Sequence, residues 1–209
     1  MESLEEQLEN AFIELRISKK NKESVLSYLN ILKNKDSTTY EHLIRVGLIS
    51  IKIAKHIKLD AKALFFAGIL HDVGKILIEP EVLKKNEDYT EEDRKEMNKH
   101  PEYTYRMLRG VHEFSAAIAV RHHKFQENGY PEVIPKFRIS FSKDTEKKID
   151  YYARILSIAD FYDAAINRDN ERFGKKLSPE EIKVVLLNKD PDIALIIENL
   201  YESKVLGDN

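Results

Sequence analysis

The 209-residue chain carries 34 Lys and Arg against 36 Asp and Glu, a formal net charge of −2 that excludes bulk attraction to nucleic acid polymers or to an anionic membrane surface. It has no cysteine, so disulfides, zinc-thiolate sites and a cysteine nucleophile are excluded and any metal must be held by N and O ligands. Charged residues at 33 % with only seven Gly and six Pro suit one helical domain with a sizeable core, not a disordered or β-rich chain.

The acidic start from Met1 to Glu6 has no apolar core region, and no later run approaches the roughly 18 to 20 apolar residues of a membrane span. A cytoplasmic protein is expected. Residues 1 to 33 read as two helices, with apolar stripes at Leu4, Leu8, Phe12 and Leu15 and at Val25, Leu29 and Leu32. They are expected to pack on the domain or on a second copy, which leaves a homodimer open. The polar stretch Lys33 to Ser37 divides a helical extension over 1–36 from a domain over 37–205.

Thr38 and Glu41 have capping-box spacing and open a helix to about His56. On it His42, Val46, Ile49 and Ile53 share one face, so His42 points inward. The next helix, from Asp60, is apolar on nearly every side and ends in His71-Asp72-Val73-Gly74-Lys75. A carboxylate buried there needs a cation, hydrogen bonds or a metal, and the adjacent imidazole favours metal. Gly74 is expected to take positive φ at the helix end and to leave Lys75 at the rim of the site.

Thr90 begins a further helix that should stop at His100, because Pro101 disfavours helical geometry in the residue before it and suits the first turn of the next helix. Residues Val111 to His123 continue as a helix with an Ala-rich middle. Its last residues, His122 and His123, would point about 100° apart on a regular helix, so both reach one site only near a helix end or between two ions. Gln126 to Pro131 form a loop by their Asn-Gly and Tyr-Pro content. Residues 135 to 147 are ambiguous, with Phe137, Ile139 and Phe141 alternating as in a strand. A helix from about Lys147 to Ile166 carries Asp160 on its buried stripe. Ser178-Pro179 and Asp190-Pro191 then start two terminal helices reaching about residue 203.

Taken alone, each of these histidines is more often a satisfied polar residue than a ligand. Together, His42, His71, Asp72, His100, His122, His123 and Asp160 supply five imidazoles and two carboxylates from several helices, enough for two ions. Mixed His/Asp ligation without sulfur suits Fe, Mn or Ni better than structural Zn. The order His42, His71-Asp72 with Gly74-Lys75, His100-Pro101, His122-His123, Gly129-Tyr130-Pro131 and Asp160 resembles the HD-GYP subgroup of the HD-domain metal-dependent phosphohydrolases, over roughly residues 37 to 175.

That resemblance implies an all-α HD-domain helical bundle and a phosphodiesterase that hydrolyses cyclic di-GMP to linear pGpG, to GMP or to both. It implies one divalent ion held by His42, His71 and Asp160, a second by His100, His122 and His123, and a bridging Asp72. Iron or manganese is expected, with nickel, cobalt or zinc as alternatives. Two such ions sharing a water would bring its pKa towards neutrality. Lys75 would contact the scissile phosphate, with Arg168, Arg172 and the Gly129-Tyr130-Pro131 loop as further substrate contacts. Thr38 stands where some family members have a Glu that binds a third metal, so two metals are expected. The segment 132–147 looks long for the family and would lie over the site. The rivals are an HD phosphohydrolase of another nucleotide, such as a nucleoside phosphate or an alarmone, and a catalytically weak cyclic-dinucleotide sensor. No DNA or RNA polymer and no membrane are expected as partners, and regulation would come from a protein partner or from metal oxidation state.

Overall fold

A computed structural model describes residues 2–85, 89–125, 128–167 and 176–207. Among these, eleven α-helices and two short 3₁₀ segments account for the regular structure, with no strand. The helices are α1 (Leu4–Glu14), α2 (Lys19–Lys35), α3 (Ser37–His56), α4 (Ala61–Leu70), α5 (Pro80–Leu83), α6 (Glu91–Met97), α7 (His100–Leu108), α8 (Glu113–Ala119), α9 (Lys143–Asn167), α10 (Pro179–Lys189) and α11 (Ala194–Glu202).

The centre of the fold is the α3–α4 pair. α4 buries every residue from Leu64 to Leu70, so this stretch has no solvent face and must be surrounded. On one side of the pair Leu43, Ile44, Phe65 and Ile69 meet Leu8, Phe12, Val25, Leu29 and Leu32 of α1 and α2. Phe12 contacts the Phe65 ring edge-on at 5.7 Å. On the other side Val46, Ile53, Leu64 and Ala67 pack on Ile149, Ala153, Leu156 and Ala159 of α9, which in turn carries α10 and α11 through Ile182, Leu186, Ile197 and Leu200. Each fully buried Leu, Ile or Phe contributes about 1.5–3 kcal/mol, so α1 and α2 are joined firmly to the layer that bears the site.

Local signals differ from expectation in instructive places. α3 is capped by Asp36, not by Thr38. The Asp36 carboxylate accepts from the Thr39 N–H at 3.1 Å and from its hydroxyl, which moves the helix start two residues earlier. α6 ends at Met97, short of His100, and His100 itself opens α7 with Pro101 in the first turn. α8 ends at Ala119, so His122 and His123 lie in a turn beyond the helix. α9 begins four residues earlier than expected, at Lys143.

Asp190 does not cap by its side chain. It is fully buried and pairs with Arg154 at 2.8 Å, and the Pro191–Ile193 stretch is a 3₁₀ turn leading into α11. The alternating segment around Phe137 is irregular, since no neighbouring strand offers a ladder to pair with. Its period instead turns Phe137 onto Tyr105 at 5.2 Å and onto Phe141 at 5.5 Å, with Ile139 facing out.

Candidate metal centre

Five pieces of chain converge at one end of the α3–α4 pair: the first turns of α3, the end of α4, the start of α7, the turn after α8 and the middle of α9. They bring together two groups of side chains, His42, His71 and Asp160, and Asp72, His100, His122 and His123. Within each group one ligand-type atom per residue lies within 4.8 Å of the others. His42, His71, Asp72, His100 and His122 are each at most 2 % exposed. Asp160 and His123 are partly buried.

The backbone aims most of these rings. His71, His100 and His122 each direct Nδ1 to the carbonyl three residues earlier, Gly68 at 2.7 Å, Met97 at 2.7 Å and Ala119. A carbonyl only accepts, so each Nδ1 carries a proton and each ring turns its Nε2 to the interior. His42 is aimed by a side chain. Its Nδ1 lies 2.7 Å from the Asp163 carboxylate, which is itself clamped by Arg45 Nε at 2.7 Å and Nη2 at 3.2 Å, and by the Asn167 amide at 2.9 Å.

Asp163 is fully buried and is the positioning residue that sequence reasoning missed. The available signal was its place three residues after Asp160, on the same face of α9. Thr104 was missed as well. Its hydroxyl donates to the His71 carbonyl at 2.9 Å and accepts from Gly74 N–H at 2.8 Å, tying α7 to the His71-Asp72 turn.

The inward atoms meet acceptor to acceptor. His100 Nε2 is 2.9 Å from Asp72 Oδ1, His42 Nε2 is 3.0 Å from Asp160 Oδ1, and His100 and His123 bring their Nε2 atoms to 3.2 Å. His71 Nε2 stands 3.5 Å from both Asp72 and Asp160, and His122 Nε2 is 3.7 Å from Asp72. His71 Nε2, His122 Nε2 and Asp72 Oδ1 are buried without a hydrogen bond. Orphaned acceptors converging in two small volumes are what a bound cation satisfies, and the N/O donor set fits a divalent transition metal.

Electrostatics agree with that fit. Burial pushes the Asp72 carboxyl up, but Lys75, His71 and His100 outweigh it and hold it well below the ordinary value. Burial likewise acts upward on Asp160, and His42 and His71 overcome it. Burial and the neighbouring His71 push the His122 imidazole down to about 3, and burial with His122 and His100 lowers His123. Both rings therefore stay neutral. His71 is pushed down by burial, yet Asp72 and Asp160 raise it overall.

Lys75 sits at the rim with its ammonium 2.6 Å from Asp72 Oδ2. The reason for Gly74 differs from the expected one. It has no positive φ, since among the described glycines only Gly110 and Gly207 do. A Cβ at Gly74 would stand 2.1 Å from the His100 carbonyl oxygen and 2.4 Å from Thr104 N, so glycine is needed to let α7 approach the Asp72 turn.

The Gly129-Tyr130-Pro131 loop lies beside the second group. The Tyr130 ring rests on His123 with centroids 4.4 Å apart, and a Cβ at Gly129 would meet the Lys124 carbonyl oxygen at 2.3 Å. Burial, then Asp72 and Asp160, raise the Tyr130 hydroxyl well above its ordinary value and keep it neutral. Arg168 and Arg172 lie outside the described residues.

Comparison with known proteins converges on one family. Residues 39–165 match the model of the HD domain. The chain is similar to the cyclic di-GMP phosphodiesterase response regulator RpfG of Xanthomonas campestris, 28 % identical over 72 % of this chain and 39 % of that protein. It is also similar to a cyclic di-GMP phosphodiesterase of Thermotoga maritima, 31 % identical over 69 % of this chain and 39 % of that protein. A 3'3'-cGAMP-specific phosphodiesterase of Vibrio cholerae is 26 % identical over 65 % of this chain and 30 % of that protein. This chain thus spans well under half the length of these relatives. In fold it is similar to the HD domain of the L. monocytogenes phosphodiesterase PgpH in complex with cyclic-di-AMP, at a TM-score of 0.59 and 18 % identity, covering 86 % of this chain and 93 % of that one.

Proposed function

Because the chain belongs to the HD domain family, we propose that it is a metal-dependent phosphodiesterase of the HD-GYP subgroup, which hydrolyses cyclic di-GMP to linear pGpG, to GMP or to both. The observation that carries the proposal is the paired arrangement itself: two compact N/O donor groups with the Asp72 carboxylate reaching into both, through Oδ1 towards His100 and His122 and Oδ2 towards His71.

In this reading His42, His71 and Asp160 hold one divalent ion, His100, His122 and His123 hold the second, and Asp72 serves both. Iron or manganese suits the donor set best. When bound, such a pair supplies an activated water and neutralises charge on the phosphoryl oxygens.

The protein's own groups do the rest. The Gly68, Met97 and Ala119 carbonyls and Asp163 fix the imidazole directions, so little reorganisation accompanies the reaction. Lys75, held at the rim by Asp72, offers its ammonium to the attacked phosphate as a compact point charge. Neutral Tyr130 forms an aromatic wall against His123, on which a nucleotide base or ribose can rest.

A second substrate, 3'3'-cGAMP, is favoured by the similarity to a Vibrio cholerae phosphodiesterase specific for it. The test is anaerobic hydrolysis of both cyclic dinucleotides by protein loaded with Mn or Fe(II), with products separated by chromatography and Asp72→Ala as control. Turnover that disappears in the control supports the reading, and its absence from the loaded wild type overturns it.

A further inference from the structure

The 3₁₀ turn Val73–Leu77 carries Lys75, and its two ends are held by different parts of the chain. At its start the Gly74 N–H donates to the Thr104 hydroxyl of α7 at 2.8 Å. At its exit the holder is Lys35, the last residue of α2, whose ammonium donates to the Ile76 carbonyl at 2.7 Å and to the Ile78 carbonyl. The last carbonyls of a helical turn lack internal donors, and a lysine ammonium supplies them through charge-assisted bonds. Lys35 makes no ion pair among the described residues, so its charge is committed to this main chain.

α2 is well placed to act as a splint. Leu29 and Leu32 are fully buried, and the Tyr28 hydroxyl donates to the Met107 carbonyl at 3.1 Å, near the end of the helix that His100 opens. The residue after Lys35 is Asp36, which caps α3 and so fixes the start of the helix bearing His42. Two consecutive residues at one helix end therefore grip the elements on both flanks of the metal centre. The match to the HD domain begins only at residue 39, so α2 stands outside it.

We propose that Lys35 is a positioning residue for the reaction: its hold on Ile76 and Ile78 sets where the Lys75 ammonium stands, which makes α2 part of the catalytic unit. The kinetic consequence rests on the phosphodiesterase reading above, whereas the positioning is a property of the fold. Ile76 and Ile78 follow Lys75 by one and three residues, so movement at the exit of the turn passes directly to it. A point charge that must meet an attacked phosphate loses much of its effect when displaced by about 1 Å. Leu77, between the two carbonyls, is half exposed, so water can replace the ammonium in a Lys35 variant. The turn then stays folded and loses its anchor.

The experiment compares wild type, Lys35→Met, Lys35→Arg, Lys75→Met and the Lys35→Met/Lys75→Met double variant, all metal-loaded. Three quantities are measured: metal affinity, kcat and KM on cyclic di-GMP, and the acetylation rate of the Lys75 amine in trace labelling read by mass spectrometry. Lys75 is 12 % exposed and paired with Asp72, so it is protected in the wild type. Lys35→Met is expected to speed its labelling at least about threefold, as local opening does, and to lower kcat about 5- to 20-fold. KM and metal affinity should stay within about twofold, and Lys35→Arg, which can also donate to two carbonyls, should recover most of the rate and the protection. In the Lys75→Met background Lys35→Met should cost less than about twofold more, because coupled residues do not add. Full additivity, unchanged Lys75 labelling in Lys35→Met, or Lys35→Arg behaving as Lys35→Met overturns the assignment. Wild type that does not turn over cyclic di-GMP while Lys35→Met exposes Lys75 sinks the proposed reaction and upholds the positioning; no turnover with unchanged labelling sinks both.

Discussion

His42 Nδ1 and the Asp163 carboxylate lie 2.7 Å apart, both groups about 1 % exposed, and Arg45 closes the far side of the carboxylate at 2.7 Å. Removing Asp163 leaves a partly buried guanidinium without its carboxylate and an unaimed imidazole. Asp163→Ala is expected to cost about 3–5 kcal/mol of stability, as broken buried ion pairs do, and to weaken metal binding about 10- to 100-fold. Asp163→Asn keeps an acceptor for the imidazole and should lose less of both. Thermal unfolding and metal titration of the two variants read these effects separately.

Asp72→Ala removes the group that Lys75, His71, His100 and His122 all face. The variant should retain less metal than wild type after gel filtration and show no turnover of a cyclic dinucleotide. Stripping wild type with a chelator should lower its melting temperature, because metal bound only to the native state stabilises it by mass action. Equal metal content in wild type and Asp72→Ala would contradict the shared role.

Lys75→Met keeps the aliphatic stem and removes the charge. Its expected signature is a fall in kcat of roughly 10²-fold, a magnitude typical of losing one charged group that acts on the transition state, with metal content retained. Elemental analysis alongside steady-state kinetics distinguishes this from a collapsed site.

Gly74→Ala tests the contact between the Asp72 turn and α7. Its Cβ would fall 2.1 Å from the His100 oxygen and 2.4 Å from Thr104 N, both backbone atoms with little room to yield. Overpacking of this kind costs about 1–3 kcal/mol or more, roughly 2–4 °C in Tm per kcal/mol at this chain length. Metal affinity should fall as well, since the shift is transmitted to His100.

His112 lies outside the metal centre, half-buried between Ser24 at 3.2 Å and the Phe66 ring at 5.3 Å. Burial lowers its pKa below the ordinary 6.5. The unfolded chain therefore takes up the proton first, so the stabilisation is complete above pH 6.5 and is lost as pH falls through the lower folded value. Between pH 7.5 and 5 the melting temperature of wild type should drop more than that of His112→Gln. Parallel melting curves across this range would contradict the assignment.

The ligand-type residues were legible because each breaks an apolar pattern: His42 on an inward stripe, Asp72 at the end of an all-apolar helix, Asp160 on the buried line of α9. Asp163 was not, because a second carboxylate near the same helix face looks like ordinary surface charge until Arg45 and His42 are seen to enclose it. Gly74 was noticed for a local reason, positive φ, whereas its need is steric and comes from α7, about thirty residues further along the chain. The strand-like rhythm of Phe137, Ile139 and Phe141 misled for a related reason. Alternation records which side chains are buried, and only a neighbouring strand turns it into a sheet.

Three of the imidazoles take their direction from main-chain carbonyls three residues upstream. A carbonyl is present whatever amino acid occupies its position. The directions of these three rings are therefore insulated from drift in the side chains around them, and the walls of the cluster are free to change while the ring geometry stays intact.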